Sequence, residues 1–386
     1  MPVRLIAPPP ALCTAAFFLA STLILSSLPL CLCATLQVNS TLLSRSGDAI
    51  LVTWSDVQAS PADNITVTAS NLSILVFSVQ NSPSWHQGSG AMAIRLVNIY
   101  APFTVIYSSH SGTLAQSPPI SFADSTEPLF PRLSLLGDAN NTLVVTWTSS
   151  LYMGSERVLL RPTACTDCPL QAFSLIAGGN VTYSRDDMCG GVAKAGGWFE
   201  PGYQLSVALY GLEAGVEYEY IFGSPASMSD AMTLRTPPPV SSRVRVFLFG
   251  DMGVAAAPPN GFPASLSTVN TIRSAVANTS TDEYTSVLHI GDISYAMGLQ
   301  FYWPLFLDQI QPLSSYSAYQ LSIGKTPLSM FLCLLPPPPK SIPSQFCLLF
   351  ICSNAVRKPR ALLARCWISS PLVRDVMPFR QYFFVS

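Results

Sequence analysis

Between residues 36 and 236 the chain alternates short apolar runs with clusters of Gly, Pro, Asp and Ser. Residues 49–54, 71–79 and 93–100 are rich in β-branched and aromatic side chains, which suit a pleated, half-buried surface. They predict a β-sandwich over residues 34–126. A second round of strands starts after Pro128, with residues 133–136, 142–147 and 208–221, and stops at Thr236-Pro-Pro-Pro239. Trp54 and Trp147 read as core residues, one in each round.

The pattern changes at Arg243. Residues 244–249 are apolar at nearly every position, as in a strand covered on both faces. Leu266, Val269, Ile272 and Val276 then follow a helical spacing, and residues 286–290 form a second apolar strand. Together these predict a parallel β-α-β unit. The fold class expected is all-β plus α/β: two sandwiches followed by an incomplete α/β domain over residues 243–324. The end of the second round, over residues 127–239, resembles a fibronectin type III sandwich.

Composition narrows the setting. Of the 386 residues, 11% are charged and the formal net charge is -1, so no basic surplus points to nucleic acid. Arg4 followed by the apolar run 15–32, with small residues at Cys31, Cys33 and Ala34, predicts a signal peptide over residues 1–33 rather than a stable membrane span. Six sequons, at Asn39, Asn64, Asn71, Asn140, Asn180 and Asn278, agree with secretion to the cell exterior or wall. In that compartment a disulfide within Cys165, Cys168 and Cys189 is favoured over half of a zinc site, because no second Cys or His pair stands at a matching distance.

Candidate chemistry lies at the ends of the two apolar strands, Gly250-Asp251 and Gly291-Asp292. In a parallel unit both ends share one sheet edge, where open α/β sheets bind ligands. Tyr295 follows three residues after Asp292, and its phenol is a hard oxygen donor suited to Fe(III). The same spacing also fits ordinary turn chemistry. His289, inside the strand, reads as a core histidine, and His86 and His110 fall in the first sandwich.

Phe249-Gly-Asp-Met-Gly253 and Leu288-His-Ile-Gly-Asp-Ile-Ser-Tyr-Ala-Met-Gly298 resemble the first two metallophosphoesterase blocks of plant-type purple acid phosphatases. Tyr183-Ser-Arg-Asp-Asp-Met-Cys-Gly190 and Gly197-Trp-Phe-Glu-Pro-Gly-Tyr203 are similar to a segment of that family's larger plant members. The resemblance implies a hydrolase of phosphate monoesters or anhydrides, acting on phosphorylated small molecules and leaving room for a homodimer. It implies Fe(III) plus a second divalent metal (Zn, Mn or Fe), with Asp251, the bridging Asp292 and Tyr295 as ligands.

The family's remaining ligands are an Asn in a Gly-Asn-His block and three later His. Here Lys325 stands where that Asn is expected, and no His follows His289. All 22 Gly lie at or before Gly324, while residues 325–386 carry eight Lys/Arg, four Cys and the single acid Asp375. A translated intron or frame change accounts for this Pro/Cys-rich tail better than an evolved domain does. The chain as written is therefore expected to be inactive. The competing reading is a non-catalytic secreted glycoprotein that binds through its β-sandwiches.

Overall fold

The computed structural model describes residues 34–136, 142–188, 190–239, 244–255, 262–277 and 284–323. The chain there is mostly β-structure with few helices. The expected signal segment, the 325–386 tail, Asn140, Cys189 and Asn278 lie outside the described residues.

The first nine strands are β1 (Thr35–Val38), β2 (Leu42–Leu43), β3 (Ala49–Ser55), β4 (Asn64–Ala69), β5 (Leu72–Ser78), β6 (Gly90–Arg95), β7 (Thr104–Ser109), β8 (Gly112–Gln116) and β9 (Ser121–Phe122). They form sheets ordered β1-β3-β6 and β5-β4-β7-β8, with a short β2-β9 pair. Alternation places Ile50, Val52 and Trp54 of β3 inward, where they share a core with Ile65, Val67 and Tyr107. Trp54 and Tyr107 meet across that core at 6.1 Å between ring centroids. The apolar run 93–100 is strand only to Arg95; Leu96 to Ile99 leave the sheet yet stay buried.

Next come β10 (Leu129–Leu135), β11 (Leu143–Ser149), β12 (Arg157–Pro162), β13 (Gln171–Val181), the one-turn helix α1 (Gly191–Lys194), β14 (Tyr203–Leu209), β15 (Glu217–Ser224), β16 (Ser227–Met228) and β17 (Met232–Arg235). β13 pairs with β12 through its first half and with β14 through Leu175, Asn180 and Val181. The irregularity between those registers contains Gly178 at φ +71°. A strand that changes partners at a bulge can turn the corner between two layers. Trp147 and Phe222 face each other at 5.4 Å in the enclosed core. The apolar stretch 208–221 is not one strand: Gly211 and Gly215, both at positive φ, turn the chain between β14 and β15.

The last elements are β18 (Val244–Phe249), α2 (Ala264–Ala277), β19 (Tyr284–Gly291), α3 (Tyr302–Ser314) and β20 (Tyr319–Ile323). β18 pairs with β19, and β19 with β20, both in parallel. One face carries Phe249, Val287, His289 and Tyr319, which join the core with Ile272 of α2 and Phe306 of α3. The other face is not covered among the described residues, against the expectation for β18. Val244 is 52% exposed and Leu248 45%, because only three strands and two helices are described here. In α2 the buried side is Ser265, Val269 and Ile272, and Leu266 faces outward.

Candidate metal centre

β18 and β19 run parallel with Phe249 beside His289, so Gly250 and Ile290 are neighbours at the strand ends. A Cβ on Gly250 would lie 2.3 Å from the Ile290 carbonyl oxygen, so only glycine permits this approach. Past the strands, the Gly253 N–H donates to the Ile293 carbonyl at 2.8 Å, joining the two loops. Asp251 and Tyr295 sit at φ +53° and +50°. Non-glycine residues in that region cost roughly 1–3 kcal/mol each and persist only when the surroundings hold them.

This strained geometry brings the predicted oxygen donors together. The Tyr295 hydroxyl donates to Asp251 Oδ1 at 2.9 Å. Burial first, then the hydrogen bond and charge of Asp251 and the charge of Asp292, push the Tyr295 phenol well above its ordinary range. Asp292 is thus close enough to act on the same phenol. Asp251 is exposed, while Asp292 and Tyr295 are half-buried, so the cluster opens to solvent. The Phe262 ring lies 5.0 Å from that of Tyr295 and backs it.

Two carboxylates and a phenol are hard oxygen donors of the kind that would suit one hard cation, which would compete with the phenol proton. The set does not suit a pair. Among the described residues no group of three His, Cys, Asp or Glu could hold a metal ion.

Two supports were not legible as such. His289 is fully buried, and burial lowers its pKa to about 4, against weaker opposing effects of the Asp292 carbonyl and the Asp251 charge. The neutral ring has one N–H, and the Asp292 carbonyl, 3.2 Å from Nε2, can only accept it. Nδ1 then accepts from the Tyr319 hydroxyl at 3.0 Å, so the histidine fixes the backbone of Asp292. Gln309 of α3 does the same for the other loop: its Nε2 donates to the Gly253 carbonyl at 3.1 Å and its Oε1 accepts from Ala255 N at 2.8 Å. A glutamine on an apolar helix gives no sequence signal of that role.

The other predicted positions are dispersed. Asn39, Asn71 and Asn180 are exposed, Asn64 is half-buried, and Asn39 Oδ1 accepts from Leu51 N. Cys165 and Cys168 form a disulfide in the loop between β12 and β13.

No family model matches the chain. It is 30% identical over 255 residues to an Arabidopsis thaliana protein described as probable inactive purple acid phosphatase 1, covering 61% of this chain and 40% of the relative. It is 28% identical over 327 residues to probable inactive purple acid phosphatase 9 of the same plant, covering 75% and 48%. A purple acid phosphatase from yellow lupin (Lupinus luteus) seeds superposes with a TM-score of 0.66 at 26% identity, over 75% of this chain and 57% of that one. The chain thus spans less than half the length of these two curated relatives. Its parallel strand ends and the likenesses together mark a relative of the purple acid phosphatases. More narrowly, it is a relative of the plant-type members of that family.

Proposed function

We propose that this chain is a metallophosphoesterase by descent which, as written, retains one half of a two-metal site and does not turn over phosphate esters. The observation that carries the reading is the Tyr295–Asp251 hydrogen bond at 2.9 Å, formed where two parallel strands end in Gly-Asp. Asp251, Asp292 and Tyr295 would hold Fe(III). In the intact family a two-metal centre activates water and neutralises the phosphoryl oxygens. A second divalent ion would have Asp292 alone, and one carboxylate holds such an ion little better than bulk water does.

The wider setting belongs to the same proposal. The β10–β17 layers are fibronectin type III-like, and the parallel β-α-β unit is the start of a metallophosphoesterase domain. The protein is secreted and N-glycosylated, and its ancestral substrates are phosphorylated small molecules. No described helix is long and apolar enough to cross a membrane.

A non-catalytic binding glycoprotein is the second reading, favoured by two relatives whose names call them inactive. An extended chain that reads from Gly324 into Gly-Asn-His and the later His blocks separates the two. The first reading expects two metals and hydrolysis in that chain, both abolished by Asp292→Ala. An extended chain without either would favour the binding glycoprotein.

A further inference from the structure

The loop that carries Tyr295 is strained beyond Tyr295 itself: Met297 is at φ +51°, followed by Gly298 at φ +84°, which glycine adopts freely. What meets this loop is a long excursion between β13 and β14, residues 182–202 of the second sandwich. The Gly197 carbonyl accepts from Gln300 N at 2.8 Å, and a Cβ on Gly197 would lie 2.4 Å from the Gly298 carbonyl oxygen. A Cβ on Gly298 would in turn come within 3.0 Å of Ala193 N in α1. On either side of this backbone contact, Phe199 packs edge-on to Phe301 at 6.4 Å, and Gln300 Nε2 donates to the Tyr183 hydroxyl. Tyr183 is itself held edge-on by Trp198 at 5.9 Å.

We infer that the 183–199 excursion is a positioning element for the candidate metal centre, with Gly197 and Tyr183 as the residues that hold the Tyr295 loop against Asp251. The second sandwich is then a working part of the site, rather than an independent module beside it. A left-handed pair such as Tyr295 and Met297 relaxes unless contacts on both sides oppose it, and the excursion supplies the outer side. The inference rests on reading Asp251, Asp292 and Tyr295 as the site. Its test reads the place of one phenol, so it can fail while the metal assignment stands, and the reverse.

The experiment follows the tyrosine Cζ signals of the full chain by NMR, with Tyr295 assigned by Tyr295→Phe. Asp251→Ala provides the signal of a Tyr295 that has lost its Asp251 acceptor. Gly197→Ala should move the Tyr295 signal towards that position while the signals of Tyr107 and Tyr220, in the two sandwich cores, stay in place. Gly196→Ala is the control, because a Cβ there meets nothing within 4 Å, and it should leave Tyr295 unmoved. The Gly197 Cβ would also touch Val192 of its own loop, so a second variant is needed in case that chain does not fold. Tyr183→Phe keeps the ring against Trp198 and removes only the acceptor of Gln300; it should move Tyr295 in the same direction by a smaller amount. An unmoved Tyr295 signal in folded Gly197→Ala, or in Tyr183→Phe, would overturn the inference.

Discussion

His289 shows how one residue links core and site. Its ring is packed among Phe249, Phe306 and Tyr319, and both nitrogens are bonded. Replacing it with Ala removes packing and leaves the Tyr319 hydroxyl without its acceptor, so His289→Ala should cost about 3 kcal/mol in denaturant unfolding. A cost under about 1 kcal/mol would mean that the ring is dispensable. At the opposite extreme of predictability stands Asp251. Gly-Asp at a strand end marked it as a candidate ligand beside an ordinary turn reading, whereas its left-handed backbone was not legible, because strain leaves no mark on residue type.

Asp124, where β9 leaves the first sandwich, titrates in a definable way. Burial would raise its carboxyl, but hydrogen bonds from Ser227, Thr126 and the Glu127 backbone more than offset this and hold it below the ordinary carboxylate range. A carboxyl with a lowered folded-state pKa contributes stability that is present above the unfolded value and lost as pH falls through the folded one. Burial shifts nearby Glu127 upward, with the opposite effect, so the comparison must be between variants. Below about pH 4 the stability of Asp124→Asn should fall less steeply with acid than that of the unaltered chain. Parallel acid limbs would refute the assignment.

At the scale of elements, the strands around Trp54, Trp147, Asp251 and Asp292 were legible because period and turn residues agree there. Two features were not. The outer face of β18 is apolar in sequence yet exposed among the described residues, since a strand's pattern says that it expects a cover but not whether the chain supplies one. The 182–202 excursion has no period at all, and its position depends on glycine contacts made across more than a hundred residues. Gly250 tests the account of the strand ends. Gly250→Ala puts a methyl 2.3 Å from a backbone oxygen and should destabilise the β18–β19 end by about 2–3 kcal/mol. Its hydrogen exchange should quicken in β18 and not in β3 or β11.

Across the molecule, the pieces are less separable than their sequence suggests. The first sandwich shares one apolar cluster with Phe199, Phe301, Phe306 and Ile310. Arg95 of β6 makes a two-pronged ion pair with Asp308 of α3 at 2.6 and 2.8 Å. The turn after α3 enters the second sandwich, where Tyr220 donates to the Ser315 carbonyl at 2.7 Å and Leu133 bridges to Ala318. Two complete sandwiches, read from sequence alone, suggest that residues 36–240 fold by themselves. The shared core argues the reverse: that fragment should melt well below the full chain and bind a hydrophobic dye, and equal melting would contradict it.

On the proposed reading, Asp251, Asp292 and Tyr295 would serve one hard cation, and a second would lack a cage among the described residues. The most direct measurement is metal content by mass spectrometry on the chain as written, purified after incubation with iron and zinc, with a chromogenic phosphate ester assay on the same sample at mildly acid pH. The account predicts fewer than two metals per chain and no turnover above that of Asp292→Ala. Two bound metals together with turnover that Asp292→Ala removes would contradict it.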